Sequence, residues 1–268
     1  MRKVRSILAL AAGAGLVFAG VSAAGAVPVA PSPLTCTGGA VNSGTYSSVT
    51  ITGVCYVPNG AYVTVLGNVL VAPHASFDAE SYSTLYVKGN IIAGAGSFLG
   101  LGCTPAHPCD VQGGENFLKP ASELTHSFSN DTVDGDVVLN AVFDAAINGN
   151  VIKGNLTSTG GGPGFSLDPW IPFSIKDNEI RGSLSVSGLR TSWFGAIRNT
   201  VYKNVTITSN RSADPDSTEV VSNWIGGNLV CAGNTPKAQI GDSYGYPNWV
   251  GGVATGECAT LTGPILIG

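Results

Sequence analysis

The chain has 268 residues, of which 37 are Gly, 13 Lys or Arg, 17 Asp or Glu and one Met, and 44% of it is apolar. That excludes a disordered chain, which needs low hydrophobicity and high net charge, and a collagen-like one, because Gly does not fall at every third position. It also disfavours a helical bundle, whose exposed faces are filled with Glu, Lys, Arg and Gln, whereas the abundant Gly, Thr, Ser, Val and Asn suit short strands and tight turns.

In chain order, the first predicted element is a leader. Arg2, Lys3 and Arg5 form a positive start, Ile7 to Val21 is a short apolar run rich in Ala, Leu and Gly, and Ala24-Gly25-Ala26 supplies a small-residue cleavage pattern. Residues 1–26 therefore read as a secretory signal rather than a retained anchor, with 27–33 as a flexible segment and 34–268 as one domain. The tail Pro264 to Gly268 is too short to span a bilayer. Cleavage after Ala26 removes three basic groups and no acidic one, leaving ten against seventeen. So acidic a chain, with no basic stripe, is disfavoured as a partner of nucleic acid or anionic membrane. The mature protein is expected to be secreted.

Six cysteines remain: Cys36, Cys55, Cys103, Cys109, Cys231 and Cys258. An even number outside the cell points to disulfides, and the grouping in sequence favours Cys36 with Cys55, Cys103 with Cys109, and Cys231 with Cys258. No CxxC knuckle is present and His74, His107 and His126 are scattered, so zinc is the weaker reading. No cofactor is implied.

From Val65 onward one motif recurs: an apolar residue, two further residues, Asn or Asp, then alternating apolar positions. Its copies place Asn68, Asn90, Asp136, Asn155, Asn178, Asn204 and Asn228 in one register, with a period near 23. The interval from Asn90 to Asp136 is twice that period, so it holds either a degenerate coil or an insertion. Units of this length cannot bury their apolar side alone and must stack. The prediction is an all-β, single-domain right-handed parallel β-helix, a solenoid of about ten coils of roughly 23 residues with lateral loops. Gly-Asn marks the corner, where Gly and Asn enter left-handed backbone most cheaply, and the stacked Asn amides are expected to form a ladder. Leu101 to Phe128 and Thr159 to Phe173 depart from the pattern and read as lateral loops.

The Gly-Asn coils resemble the pectin-lyase-like superfamily of right-handed parallel β-helices over nearly all of the chain after the leader. In the C-terminal half, Trp193-Phe194-Gly195-Ala196-Ile197-Arg198-Asn199, Ala213-Asp214-Pro215-Asp216, Gly226-Gly227-Asn228-Leu229-Val230-Cys231 and Gly241-Asp242-Ser243 are similar to segments of an uncharacterised family of secreted proteins from high-GC Gram-positive bacteria. That resemblance implies export and a β-helix, and it transfers no activity.

The residues offer three kinds of candidate site. Asp131, Asp134 and Asp136 are the one carboxylate cluster of the type that glycoside hydrolysis needs, but Asp134 and Asp136 fall in the repeat, which favours a corner role. The Gly-His-Gly and Arg-Ile-Lys partners of polygalacturonase-like enzymes are absent. Asp214 and Asp216 are candidate calcium ligands, against a Pro-stiffened surface turn. Trp170, Trp193 and Trp224 are candidate sugar-stacking residues, with Trp249 as a further ring; Trp224 precedes the inward Ile225 and is expected to face outward. Thr50, Thr52, Thr64, Thr157, Thr159, Thr206 and Thr208 do not recur in one register, so no ice-facing Thr array is expected. The favoured reading is a non-catalytic extracellular structural or glycan-binding protein whose partner is an extracellular or cell-wall polysaccharide. The alternative is a lyase or hydrolase acting on acidic polysaccharide.

Overall fold

A computed structural model describes residues 30–102, 131–166, 171–242 and 245–263. Within them the chain is all-β, apart from one 3-10 turn at Glu257–Thr260. Three parallel sheets account for almost every strand. The ten-stranded sheet consists of Leu34–Cys36, Val49–Ile51, Val69–Val71, Ile91–Ala93, Val137–Asn140, Leu156–Thr159, Leu184–Ser187, Val205–Thr208, Leu229–Ala232 and Ala254–Gly256. The eight-stranded sheet runs from Gly39–Ala40 to Glu219–Val221, and the nine-stranded sheet from Gly44–Tyr46 to Trp249–Val250. Each sheet stacks strands in chain order while the chain visits the three in rotation, which is consistent with a parallel β-helix.

Alternation explains why these short runs become strands. In Val69–Val71, Ile91–Ala93 and Leu184–Ser187 the first and third residues of each strand are buried and the others are not. The inward columns are aliphatic and aligned in register: Val65, Val87, Val133, Ile152, Ile180, Val201 and Ile225 are each at most 2% exposed. Burying one such side chain contributes roughly 1.5–3 kcal/mol, and the gain exists only when a neighbouring strand closes over it. Inside the eight-stranded sheet, Phe173 and Phe194 meet edge to face with centroids 6.3 Å apart. Cys36 is bonded to Cys55 and Cys231 to Cys258, one pair near each end of the ten-stranded sheet. Cys103 and Cys109 lie outside the described residues.

The long interval between Asn90 and Asp136 is an insertion. Ile91–Ala93 pairs directly with Val137–Leu139, and the Asp136 N–H donates to Asn90 Oδ1 at 2.8 Å.

The corners differ from the sequence reading in two respects. First, Gly67, Gly89, Gly135, Gly154, Gly182 and Gly227 are not left-handed. Glycine is required because successive corners touch: a Cβ on Gly182 would stand 2.5 Å from both Asn155 Oδ1 and the Gly154 carbonyl oxygen. Left-handed backbone occurs instead at the corner after the ten-stranded sheet, in His74, Gly96, Ala141, Gly160, Gly188, Ser209 and Gly233, and at the corner between the eight- and nine-stranded sheets, in Gly149, Asp177, Arg198 and Ser222. Second, the Asn residues form more than one ladder. In the first, Asn68, Asn90, Asp136, Asn155, Ser183, Asn204 and Asn228 follow one another, and the backbone N–H of each later member donates to the side-chain oxygen of the one before. Ser183, not Asn178, holds the position between Asn155 and Asn204.

Asn178 belongs to a second, buried ladder of Asn150, Asn178, Asn199, Asn223 and Asn248, at the corner between the eight- and nine-stranded sheets. Its polarity is reversed, since here the earlier residue donates its N–H to Oδ1 of the later one. Each Nδ2 also donates to a carbonyl of the preceding coil, namely Leu101, Ile147, Ile175, Ala196 and Val220 in turn, at 2.8–3.1 Å. Buried backbone groups at a corner have no sheet partner, and the amide supplies a donor and an acceptor together.

Candidate functional site

The carboxylates singled out in the sequence do not converge. Asp131 is buried in the position that the second ladder would occupy one coil earlier, and its Oδ1 accepts the Leu85 N–H at 2.8 Å. Burial pushes its pKa up to about 7, against backbone hydrogen bonds from Leu85 and Gly102. Asp134 lies at the surface corner of the nine-stranded sheet, where Tyr86 Oη donates to it at 2.5 Å and Lys153 Nζ stands 2.7 Å away. Burial draws its pKa upward, but the bonds from Lys153 and Tyr86 outweigh this and hold the carboxyl below its ordinary value. Asp136 is a rung of the first ladder. Asp214 closes an Asx turn, its Oδ1 accepting the Asp216 N–H at 3.0 Å. Among the described residues, no group of three or more His, Cys, Asp or Glu is placed to hold a metal ion.

The tryptophans separate as well. Trp193 is not a surface ring: it is 6% exposed, packs with Ile197 and Val221, donates Nε1–H to Glu219 at 3.2 Å, and carries Lys176 Nζ 4.8 Å from its ring centre. Trp170 lies outside the described residues. Trp224 is half-buried on the outward side of the nine-stranded sheet, in register with Trp249. Their rings stack at 4.9 Å and 12°, and Tyr202, 51% exposed, meets Trp224 edge-on at 5.7 Å. The strand sequence makes this arrangement: Trp-Ile-Gly and Trp-Val-Gly place a glycine two residues on, and a Cβ on Gly226 or Gly251 would come within 3.4 or 3.2 Å of the ring. The indoles lie along the strand over those glycines. Arg181, paired with Glu179 at 2.9 Å, occupies the corner position one coil before Tyr202. Three aromatic rings and a charged pair thus share one edge of the outer surface.

A second constellation was not found in the sequence. On the outward face of the eight-stranded sheet, Asp78 and Glu80 border an open pocket of about 260 Å³ lined also by Tyr56, Pro58, Asn59 and Ser81. Gly100, in register with Asp78, leaves space that the Glu80 side chain fills: a Cβ there would meet Glu80 Oε2 at 2.8 Å. Burial, then Asp78 and Asp144, push the Glu80 pKa up to about 8. Burial likewise pushes Asp144 up to about 7, and its Oδ1 has no hydrogen-bond partner. A carboxyl raised in this way can hold a proton near neutrality, as a general acid must. No sequence signal announces it, because Asp144 comes within electrostatic reach of Glu80 only through strand pairing across the 103–130 insertion.

Among the described residues two disulfides are formed, and no helix is long and apolar enough to cross a membrane. Comparison with family models, curated proteins and solved structures finds no match to this chain, so its function rests on the geometry alone.

Proposed function

We propose that the chain is exported, loses residues 1–26, and works outside the cell as a right-handed parallel β-helix of about ten coils that binds a polysaccharide without cleaving it. The observation that carries this reading is the Tyr202, Trp224 and Trp249 cluster. Aromatic rings on a rigid sheet offer apolar contact area at little entropic cost, and sugar C–H faces pack on such rings while adjacent polar groups take the hydroxyls. Arg181 and Glu179 supply those groups. The test is affinity electrophoresis of the mature protein through gels containing pectic, alginate, xylan and peptidoglycan-derived glycans. At least one glycan retards the wild type, and Trp224→Ala with Trp249→Ala abolishes the retardation. Equal retardation of wild type and double variant removes the reading.

The second reading, hydrolysis of an acidic polysaccharide, is favoured by the Glu80 carboxyl held protonated beside Asp78. It requires reducing ends to be released from one of these glycans and Glu80→Gln to lose that release. Failure to release any reducing ends dismisses it.

A further inference from the structure

The outer surface of the ten-stranded sheet has properties that neither site above uses. The sequence reading places the Thr residues in no common register, but strand pairing aligns most of them. One outward column reads Thr35, Thr50, Leu70, Ile92, Val138, Thr157, Ser185, Thr206, Val230 and Thr255. A second, two residues further along each strand, reads Asn140, Thr159, Ser187, Thr208 and Ala232. Thr50, Thr157 and Thr206 therefore do share a column, as do Thr159 and Thr208, whereas Thr64 belongs to another sheet and Thr52 lies just beyond its strand, donating to the Cys36 carbonyl at 3.3 Å. The expectation of no Thr array fails because insertions and unequal corners change the sequence interval without changing the register.

Three features define what this face can hold. None of its ten strands contains an Asp, Glu, Lys, Arg, His, Phe, Tyr or Trp. At its centre, Thr157, Thr159, Ser185, Ser187, Thr206 and Thr208 form a grid of hydroxyls spaced about 4.8 Å between strands and about 6.7 Å along them. Among the described residues none of these six side chains bonds to another protein group, so their donors and acceptors are left to solvent. The backing is rigid, since the inward neighbours Leu156, Leu184, Val205, Val186 and Ile207 are at most 1% exposed and the disulfides fix strands near both ends.

A charged partner finds nothing to pair with here. A polysaccharide finds no aromatic ring to stack on. A second copy of the chain would gain too little, because ten strands at ~4.8 Å and about three residues of width give roughly 450 Å², about half of the ~800 Å² per partner in a standard interface. What remains is a partner that is uncharged, flat and periodic in two directions. We infer that this face binds ice, whose surface is a lattice of water donors and acceptors that an aligned grid of hydroxyls can join, while the interspersed methyl groups of Thr, Val, Ile, Leu and Ala displace mobile water.

The experiment measures ice recrystallisation and crystal shape in the presence of the mature protein. Wild type is expected to arrest grain growth and facet the crystals. Thr157→Lys and Thr206→Lys, which place a charge in the grid on side chains already facing water, are expected to abolish both effects with unchanged circular dichroism. Val151→Lys, on the outer side of the nine-stranded sheet, is expected to keep them. Wild type without effect on ice overturns the inference, as does an effect that survives both Thr substitutions. A dimer in sedimentation velocity, or adsorption to crystalline chitin or cellulose, that the Thr substitutions abolish while ice is untouched would also overturn it by assigning the face to a different partner.

Discussion

Replacing Asn199 by Ala probes the buried ladder at its middle rung. Asn199 Oδ1 accepts the Asn178 backbone N–H at 3.1 Å and Asn178 Nδ2 at 2.9 Å, while its own Nδ2 serves the Ile175 carbonyl at 2.9 Å and Asn223 Oδ1 at 3.1 Å. The residue is wholly buried, so water cannot replace these partners. Stranding a buried N–H costs about 1–3 kcal/mol and losing the donor to Ile175 about 1 more, which puts the variant about 3–5 kcal/mol below wild type once the lost packing is included. Asn204, an exposed rung of the first ladder, is the control: its Oδ1 accepts the Asn228 N–H at 2.9 Å where solvent can take over, and Asn204→Ala should cost about 0.5–1.5 kcal/mol. Guanidinium unfolding with the disulfides intact, followed by far-ultraviolet circular dichroism, compares the two midpoints. Stacked repeats can unfold in steps, so coincidence with intrinsic fluorescence should be checked. Equal shifts for the two variants would refute the claim that burial of the second ladder, rather than Asn stacking as such, holds that corner.

Other consequences are independent of that one. Gly182→Ala forces a Cβ against Asn155 Oδ1 and the Gly154 carbonyl and should lower stability by about 1–3 kcal/mol in thermal melts, although Gly182 has no unusual backbone conformation; a neutral result would mean that the corners are looser than they look. Asp131 has a folded pKa of about 7 against an ordinary 3.8, so the folded chain holds that proton the more tightly. Its contribution is complete below pH ~4 and is lost as the pH rises through ~7, and Asp131→Asn, which keeps the acceptor for Leu85, should gain on wild type progressively between those limits. Asp134 and Glu257, both held below their ordinary values, act in the opposite sense and withdraw stability as the pH falls below ~4. Replacing Cys231 and Cys258 by Ser opens a loop with a sequence separation of 27 and should cost about 3–4 kcal/mol in urea unfolding, whereas an unchanged midpoint would show that the end of the stack is held by packing alone.

The stacked parallel architecture was legible because each strand carries its own alternation and because the Gly-Asn corner repeats in nearly constant form. The first ladder was legible for the same reason, with one slip: Ile175-Lys176-Asp177-Asn178 imitates the motif, while the true copy, Ile180-Arg181-Gly182-Ser183-Leu184, replaces Asn by Ser. The second ladder was missed although it has a signal. Asn150, Asn178, Asn199, Asn223 and Asn248 are each followed, two residues on, by Ile or Val, but the residue before them varies among Gly, Asp, Arg, Ser and Pro. Three of those preceding residues, Asp177, Arg198 and Ser222, hold left-handed backbone without being Gly, at roughly 1–2 kcal/mol each. Asp177 and Arg198 offset this with two hydrogen bonds of 2.6 Å to one another in a buried site.

The surface was harder to read than the core, for a physical reason. Inward positions must be apolar in every coil, so they announce themselves along the chain. Outward positions are unconstrained one by one and acquire meaning from neighbours in adjacent coils. Trp224 could be placed outside from Ile225 alone, but its stacking on Trp249 depends on corner lengths between them. Asp78, Glu80 and Asp144 needed the register across the 103–130 insertion, and the hydroxyl grid needed the register of Leu156–Thr159, Leu184–Ser187 and Val205–Thr208.

The proposal of glycan binding is tested most directly by titration calorimetry of a retained polysaccharide against three proteins: wild type, the Trp224→Ala and Trp249→Ala double variant, and Glu80→Gln. Loss of the two stacked rings should weaken binding by at least ~10-fold, equivalent to about 1.4 kcal/mol, while Glu80→Gln leaves it unchanged. Binding that survives in the double variant and fails in Glu80→Gln would contradict the account and move the site to the outward face of the eight-stranded sheet.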